Sequence, residues 1–300
     1  MNKDRRSFLK WGGSIAAGLA LAPAACKLMS KEEEKKAAEQ EAAKKELLFT
    51  TFGLQLYTLR DDLPADPKGI LKQVAGFGYK QIEGYEGKDG MFWGMGHTGF
   101  KQYMDELGLD FIASHCDINT DFEQKAAQAA EIGMKYLICP WLGEQKKLDD
   151  YKKFAEVCNQ RGEICRKNGI RFAYHNHDYT FKELEGQIPQ ELLMTETDSS
   201  LVDFEMDIYW VVTGGHDAEA WLKKHKNRFR LCHVKDRTKN ATEAADSCTL
   251  GEGSIDFPKI LQTAKDNGMQ YFIVEQERYD GTTPLKAVEA NAAYMKKFTV

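Results

Sequence analysis

Four side chains in this 300-residue sequence have the types and spacing to hold a divalent metal ion: His175, Asp207, His233 and Glu275. They stand in RFAYHNHD, DFEMDIYW, LCHVKD and FIVEQE, separated by 32, 26 and 42 residues. Two imidazoles and two carboxylates are a suitable ligand set for such an ion. Each lies at or near the end of a short apolar run, and each gap is about one strand–helix unit. In a barrel of alternating strands and helices, the strand C-termini converge on one face, where the active site sits. Residues two apart share a strand face, so His175 goes with His177, Glu205 with Asp207, His233 with Lys235, and Glu275 with Glu277. Such groups at the ends of successive buried strands are costly unless they pair or bind a cation. The competing reading is a buried ion-pair network without metal, since buried charges must at least be paired.

Other positions fall on the same expected face. Gln55 and Tyr57 end the first strand, Glu83 the second and His115 the third. Their polar groups are expected to hydrogen-bond sugar hydroxyls. Trp141 and Trp210 follow the fourth and sixth strands and are expected to stack on sugar faces. Phe92 and Trp93, in GKDGMFWGMGHTGF, lie in a glycine-rich stretch expected to act as a mobile lid.

The elements that must position these groups read as eight strands: 52–57, 79–84, 110–116, 135–140, 170–177, 201–207, 229–235 and 270–276. Amphipathic stretches between them predict helices over 67–76, 121–132, 148–168, 217–226 and 256–267, with a last one near 282–297. Short apolar runs alternating with longer amphipathic ones argue βα units and a parallel sheet. Gly78, Gly108, Gly133, Gly169 and Gly268 come shortly before strands, as helix C-caps should. The expected fold is a (β/α)8 TIM barrel over residues 48–300, of typical size for that fold. An open doubly wound sheet is the alternative, but GLQLYTLRDDL after the first strand lacks the usual glycine-rich phosphate turn.

Residues 1–26 read as a twin-arginine export signal, with Arg5-Arg6, Phe8-Leu9 and then an apolar run too short to span a bilayer. LAPAAC resembles a lipobox and makes Cys26 a candidate lipid-anchor site. Residues 27–47 are charged and alanine-rich, the composition of a linker. The expected location is the periplasm or envelope. Changing Arg5→Lys together with Arg6→Lys should strand the protein in the cytoplasm. Normal delivery of that double variant to the envelope, read by fractionation, would remove the export assignment.

Seven cysteines show no CxxC pair, and Cys158 and Cys165 are too far apart on one helix to bridge. The net charge is −5, and residues 1–26 carry +3, leaving −8 on the remainder. That balance repels a nucleic-acid phosphate backbone, and no nucleic-acid partner is expected.

QLYTLRD (55–61), YHNHDYTF (174–181), EMDIYWV (205–211), HVKD (233–236), GEGSIDF (251–257) and VEQE (274–277) resemble segments of the xylose isomerase-like TIM barrels. This sugar phosphate isomerase/epimerase superfamily also holds inosose dehydratases and endonuclease IV-like proteins. The resemblance implies one divalent ion (Mn, Mg, Co or Zn) on His175, Asp207, His233 and Glu275. It implies a small carbohydrate substrate and isomerase or epimerase chemistry. The ion would act as a Lewis acid on a carbonyl and its neighbouring hydroxyl, stabilising an enediolate. Glu277, His177 and Lys235 are the candidate bases, with Lys235 alternatively a protonated stabiliser of the oxyanion. Two positions depart from the sugar epimerases: His175 stands where many carry Glu, and Trp210 where they often carry His. These departures point toward dehydratase-like and exported branches. A dehydratase or 3-keto-glycoside lyase would share the proton abstraction. A sugar-binding lipoprotein without catalysis is the reading from another class. The substrate is expected to be unphosphorylated, because Glu252 and Asp256 put negative charge in the GEGSIDF loop, where barrels often bind phosphate.

Overall fold

Alternation along each strand divides the apolar residues of this chain between two layers. In the computed structural model, which describes residues 48–299, Phe172 and Tyr174 join the core between sheet and helices, while Ala173 faces the barrel interior. Leu231 and Ile273 also point inward, whereas Cys232, Phe272 and Val274 point outward. The inward set makes an apolar plug with Ile112, Ala113, Tyr136 and Ile138. Two residues further along the same strand faces come His175, His233 and Glu275. Residues 1–47, with the expected signal, lipobox Cys26 and linker, lie outside the described residues.

The barrel strands are β1 (Gly53–Gln55), β2 (Gln81–Tyr85), β3 (Asp110–His115), β4 (Tyr136–Cys139), β5 (Arg171–His175), β6 (Val202–Asp207), β7 (Phe229–Val234) and β10 (Tyr271–Val274). All pair in parallel, and β1 closes the barrel against β10. An antiparallel ribbon, β8 (Asp236–Arg237) with β9 (Ser247–Cys248), follows β7. The helices are α1 (Pro67–Phe77), α2 (Gly96–Leu107), α3 (Phe122–Glu131), α4 (Leu148–Lys167), α5 (Pro189–Glu196), α6 (Ile208–Thr213), α7 (Ala218–Lys224), α8 (Phe257–Asp266) and α9 (Pro284–Met295). Asp66 caps α1 through Gly69 N, with Pro67 at its first position, and Gly78 ends it at a φ of 102°. That left-handed conformation is why glycine stands there.

Register aligns the strand ends. Asp207 lies opposite His233, Ile273 opposite His233, and His175 opposite Glu205. Bulges fall between Ile82 and Glu83 and between Phe204 and Glu205, where a strand can re-aim a side chain.

Two expectations need correction. The strands are shorter than the apolar runs, so His177, Lys235 and Glu275, expected inside strands, lie beyond their ends, as Glu277 does. The stretch around Phe92 and Trp93 is no lid. Met91, Phe92 and Trp93 are buried, and Phe92 packs 6.2 Å from Phe100 and 6.3 Å from Phe111. Helix α2 begins within this stretch. Its Gly-His-Thr-Gly start hides the signal, while Phe100 and Met104, four apart, bury one face. The six cysteines among the described residues are free.

Candidate active site

The ligand atoms of His175, Asp207, His233 and Glu275 all lie within 4.8 Å of one another, and all four residues are buried. His175 Nε2 is 3.2 Å from His233 Nδ1 and 3.5 Å from Asp207 Oδ2. His233 Nδ1 is 3.5 Å from Asp207 Oδ2 and 3.2 Å from Glu275 Oε2. Donors bound about 2.0–2.1 Å from a tetrahedral ion stand about 3.3–3.4 Å apart. Asp207 shows how the chain aims such a donor. It ends β6 and caps α6, its Oδ1 accepting from Trp210 N at 3.0 Å. Asn176 holds its backbone from both sides, each bond 3.2 Å. Oδ2 is left buried without a hydrogen-bond donor. An unpartnered buried carboxylate oxygen beside two imidazoles is costly alone and fits a cation. The residues present therefore fit a divalent ion.

A second group lies beside the first: Glu83, His115, Glu205 and His233. Here the spacing is that of hydrogen bonds. His233 Nε2 meets Glu83 Oε1 at 2.7 Å, and His115 Nε2 meets Glu205 Oε2 at 2.8 Å. Gln55 Nε2 donates to the same Glu83 oxygen at 2.7 Å. A metal-binding imidazole usually gives its other N–H to a carboxylate, which sets tautomer and ring angle. Glu83 does this for His233, leaving Nδ1 toward the first group. Glu83→Gln should therefore weaken metal binding by about 10–100-fold, measured by titration calorimetry, with the fold kept. Unchanged affinity would deny Glu83 this role.

Burial drives carboxyls up and imidazoles down, and neighbours decide the rest. Burial and the adjacent Glu83 carboxylate push Glu205 up to about 8. Burial acts likewise on Glu83, but His115 and His233 overcome it and hold Glu83 well below its usual range. Burial lowers His115, yet Glu83 and the bond to Glu205 raise it to about 9. Burial, then repulsion from His233, lowers His175 to about 4. His175 is thus neutral near pH 7, the state a metal ligand requires.

Above the cluster opens a cleft of about 580 Å³. His115, His175, His177, Glu275, Glu277, Tyr57, Trp141 and Trp210 all line it. His177 packs edge-on against Trp141 at 4.5 Å and tilted against Trp210 at 5.3 Å. Burial and His175 hold its pKa well below the usual value, and its Nδ1 has no partner. Glu277 pairs with Lys235, which is buried and also reaches Glu275 at 3.2 Å and Asp207 at 3.8 Å. A larger groove of about 700 Å³ beside α5 and α7 contains none of these groups.

The structure corrects two of the residue readings. Gln55 and Glu83 do not meet the cleft; both are fully buried and bonded to each other beneath it. For Lys235 the cationic alternative is the better supported: burial would lower its pKa, but Glu275, Asp207 and Glu277 together raise it. The GEGSIDF loop is closed by a residue the sequence reading left without a role. Asp236 Oδ2 accepts from Gly251 N at 2.9 Å and Gly253 N at 3.0 Å, and Oδ1 accepts from Ile255 N at 3.2 Å. A Cβ on Gly253 would sit 2.2 Å from that carboxylate, which is why glycine is needed. Glu252 is exposed, and Asp256 stands at the N-cap of α8 without a side-chain capping bond.

Sequence reasoning also missed the ribbon's part in the site. Tyr209 Oη accepts from Asp246 N at 2.6 Å, and Ser247 Oγ accepts from Glu277 N and Arg278 N at 3.0 Å each. Ala244 and Ala245 thereby reach the cleft wall. Two-residue strands carry no periodic signal.

Residues 71–298 match the xylose isomerase-like TIM barrel family. Over 167 residues the chain is 30% identical to an inosose dehydratase of Clostridium perfringens, covering 50% of this chain and 56% of that protein. The chain spans about half the length of the curated relatives it matches. A solved sugar phosphate isomerase/epimerase from Parabacteroides distasonis is similar at a TM-score of 0.71 and 30% identity, covering 84% of this chain and 96% of that one. An IOLI protein solved with a bound zinc atom shares the fold, with a TM-score of 0.69, 16% identity, and 83% and 98% of the two chains covered.

Proposed function

We propose, for a chain that belongs to the xylose isomerase-like TIM barrel family, that the barrel isomerises or epimerises a keto-sugar by moving the proton next to its carbonyl. One observation carries this reading: His177 and Glu277 line the same cleft as His175 and Glu275 of the four-donor cluster, with the Lys235 cation paired to Glu277. His175, Asp207, His233 and Glu275 would hold a divalent ion, which when bound supplies Lewis-acid polarisation of a carbonyl. His177, neutral and with an unpartnered nitrogen, is placed to accept a proton from carbon. Glu277 comes from the far side of β6 and β7 relative to His177 and is placed to handle the proton at a second position. Lys235 stays charged and stabilises developing negative charge on oxygen. The reacting sugar ring lies on the cleft floor between His177 and Glu277, its hydroxyls and apolar faces meeting Tyr57 and Trp210.

A dehydratase is the second reading, favoured by the similarity to inosose dehydratases. The same proton is removed, and a hydroxyl then leaves from the next carbon. Proton NMR in deuterated water separates the two. An isomerase or epimerase incorporates deuterium beside the carbonyl and yields a sugar of unchanged formula, whereas a dehydratase yields a product lacking water. Metal-replete protein that causes neither change across a panel of keto-sugars would retire both readings.

The substrate is expected to be unphosphorylated. The amides of Gly251, Gly253 and Ile255, which a phosphate would need, are already bonded to Asp236. Glu252 is exposed, so solvent screens its charge and it repels a phosphate little. On one sugar skeleton, kcat/KM should be about tenfold or more higher without the phosphate, like charges in a dry cleft costing over about 1.4 kcal/mol. A preference for the phosphorylated partner would overturn this.

A further inference from the structure

Among the described residues, two large hydrophobic side chains stand exposed: Trp141 at 58% and Tyr57 at 39%. Both line the cleft above the metal-type cluster. They follow β4 and β1, three strands apart around the barrel, so they border different sides of the mouth. An open indole forfeits burial worth about 25 cal/mol per Å², and an apolar rim around a polar floor marks a ligand surface. Trp141 is held in place: its ring meets His177 at 4.5 Å and Tyr179 at 5.0 Å, and Tyr179 Oη accepts from Leu142 N and Gly143 N. Trp210, by contrast, is half-buried deeper in the cleft, with Lys235 Nζ 4.9 Å from its ring centre and its indole N–H unpartnered. The two tryptophans therefore serve different depths. The volume of about 580 Å³ is of the size that takes drug-like ligands and exceeds one hexose ring.

We infer that the cleft has an outer subsite, built on Trp141, for a second ring, and that the substrate is a glycoside whose aglycone or neighbouring sugar stacks there. This rests on the carbohydrate reading above, which places the reacting ring on the floor between His177 and Glu277. The outer ring contributes binding through its flat or C–H-rich face, the interaction a rigid aromatic platform offers.

The probes are paired methyl and phenyl glycosides of the same sugars, in both anomeric forms, titrated against the full metal-replete chain. Affinity is read by tryptophan fluorescence, and contact by saturation-transfer NMR. Phenyl glycosides should bind about tenfold more tightly than their methyl partners, with saturation strongest on the phenyl protons. Trp141→Ala should abolish that preference, weakening phenyl glycosides about tenfold more than their methyl partners. Trp141→Phe should restore part of it. Because Trp141 is exposed, both variants should keep the melting temperature of the parent chain, which is checked alongside. Equal affinity for the two series, or equal weakening of both by Trp141→Ala, would overturn the outer subsite while leaving the carbohydrate reading intact. Binding of neither series by metal-replete protein would overturn both.

Discussion

Asp207→Ala should release the divalent ion and lower turnover by about a thousandfold or more, since Lewis-acid polarisation is worth several kcal/mol. Elemental analysis of the full chain should find about one ion per molecule in the parent and almost none in the variant. The choice of residue follows from its two oxygens. Oδ1 is occupied by Trp210 N, and Oδ2 is buried, accepts no hydrogen bond and lies 3.5 Å from both imidazoles. Alanine also removes the cap of α6, a loss of about 1 kcal/mol. Asp207→Asn separates the two effects, because its amide oxygen can keep the cap while the anionic oxygen is gone. In the parent, a thousandfold excess of ion over Kd should stabilise the fold by about 4 kcal/mol, and a chelator should remove that increment. Asp207→Asn should melt at the same temperature with and without chelator. An Asp207→Asn protein that holds its ion and turns over normally would place the metal elsewhere.

The metal-type quartet was legible in the sequence because parity and burial act together. A strand that carries Leu231 into the interior must carry His233 there too, and the same holds for Ala173 with His175 and Ile273 with Glu275. Polar groups at those positions demand a partner. Parity cannot give depth, however. Gln55 and Glu83 share the inward face with the cleft residues, yet they sit beneath the cluster. Glu205 was paired with Asp207 by spacing, but its bond to His115 needs β3 and β6 to meet across the barrel. The ribbon and the Asp236-bonded loop depend on pairings between residues 10 to 19 apart, which leave no periodic trace. Helix α2 was hidden by its glycines, and only Phe100 and Met104 betray it.

Lys235→Met should leave metal content at one ion per chain while lowering turnover by about a hundredfold to a thousandfold, the cost of losing one preorganised donor at developing charge. Its effect on stability should depend on the metal. The buried ammonium lies against Glu277, 3.2 Å from Glu275 Oε2 and 3.8 Å from Asp207 Oδ2, with Tyr209 and Trp210 rings at 5.0 and 4.9 Å. Removing one partner of such a buried set costs about 3–5 kcal/mol, and methionine fills the space without restoring charge. A divalent ion on Asp207 and Glu275 would neutralise those same carboxylates. The variant should therefore be strongly destabilised in chelator and less so with saturating metal, so that its melting temperature rises more on metal addition than the parent's does. Metal affinity should hold or increase, since the competing cation is gone. That combination separates Lys235 from a ligand, whose loss would empty the site, and from a packing residue, whose loss would cost the same with or without metal. Equal destabilisation in both conditions, together with turnover at the parent rate, would deny Lys235 both its charge-balancing role and its place beside the reacting oxygen.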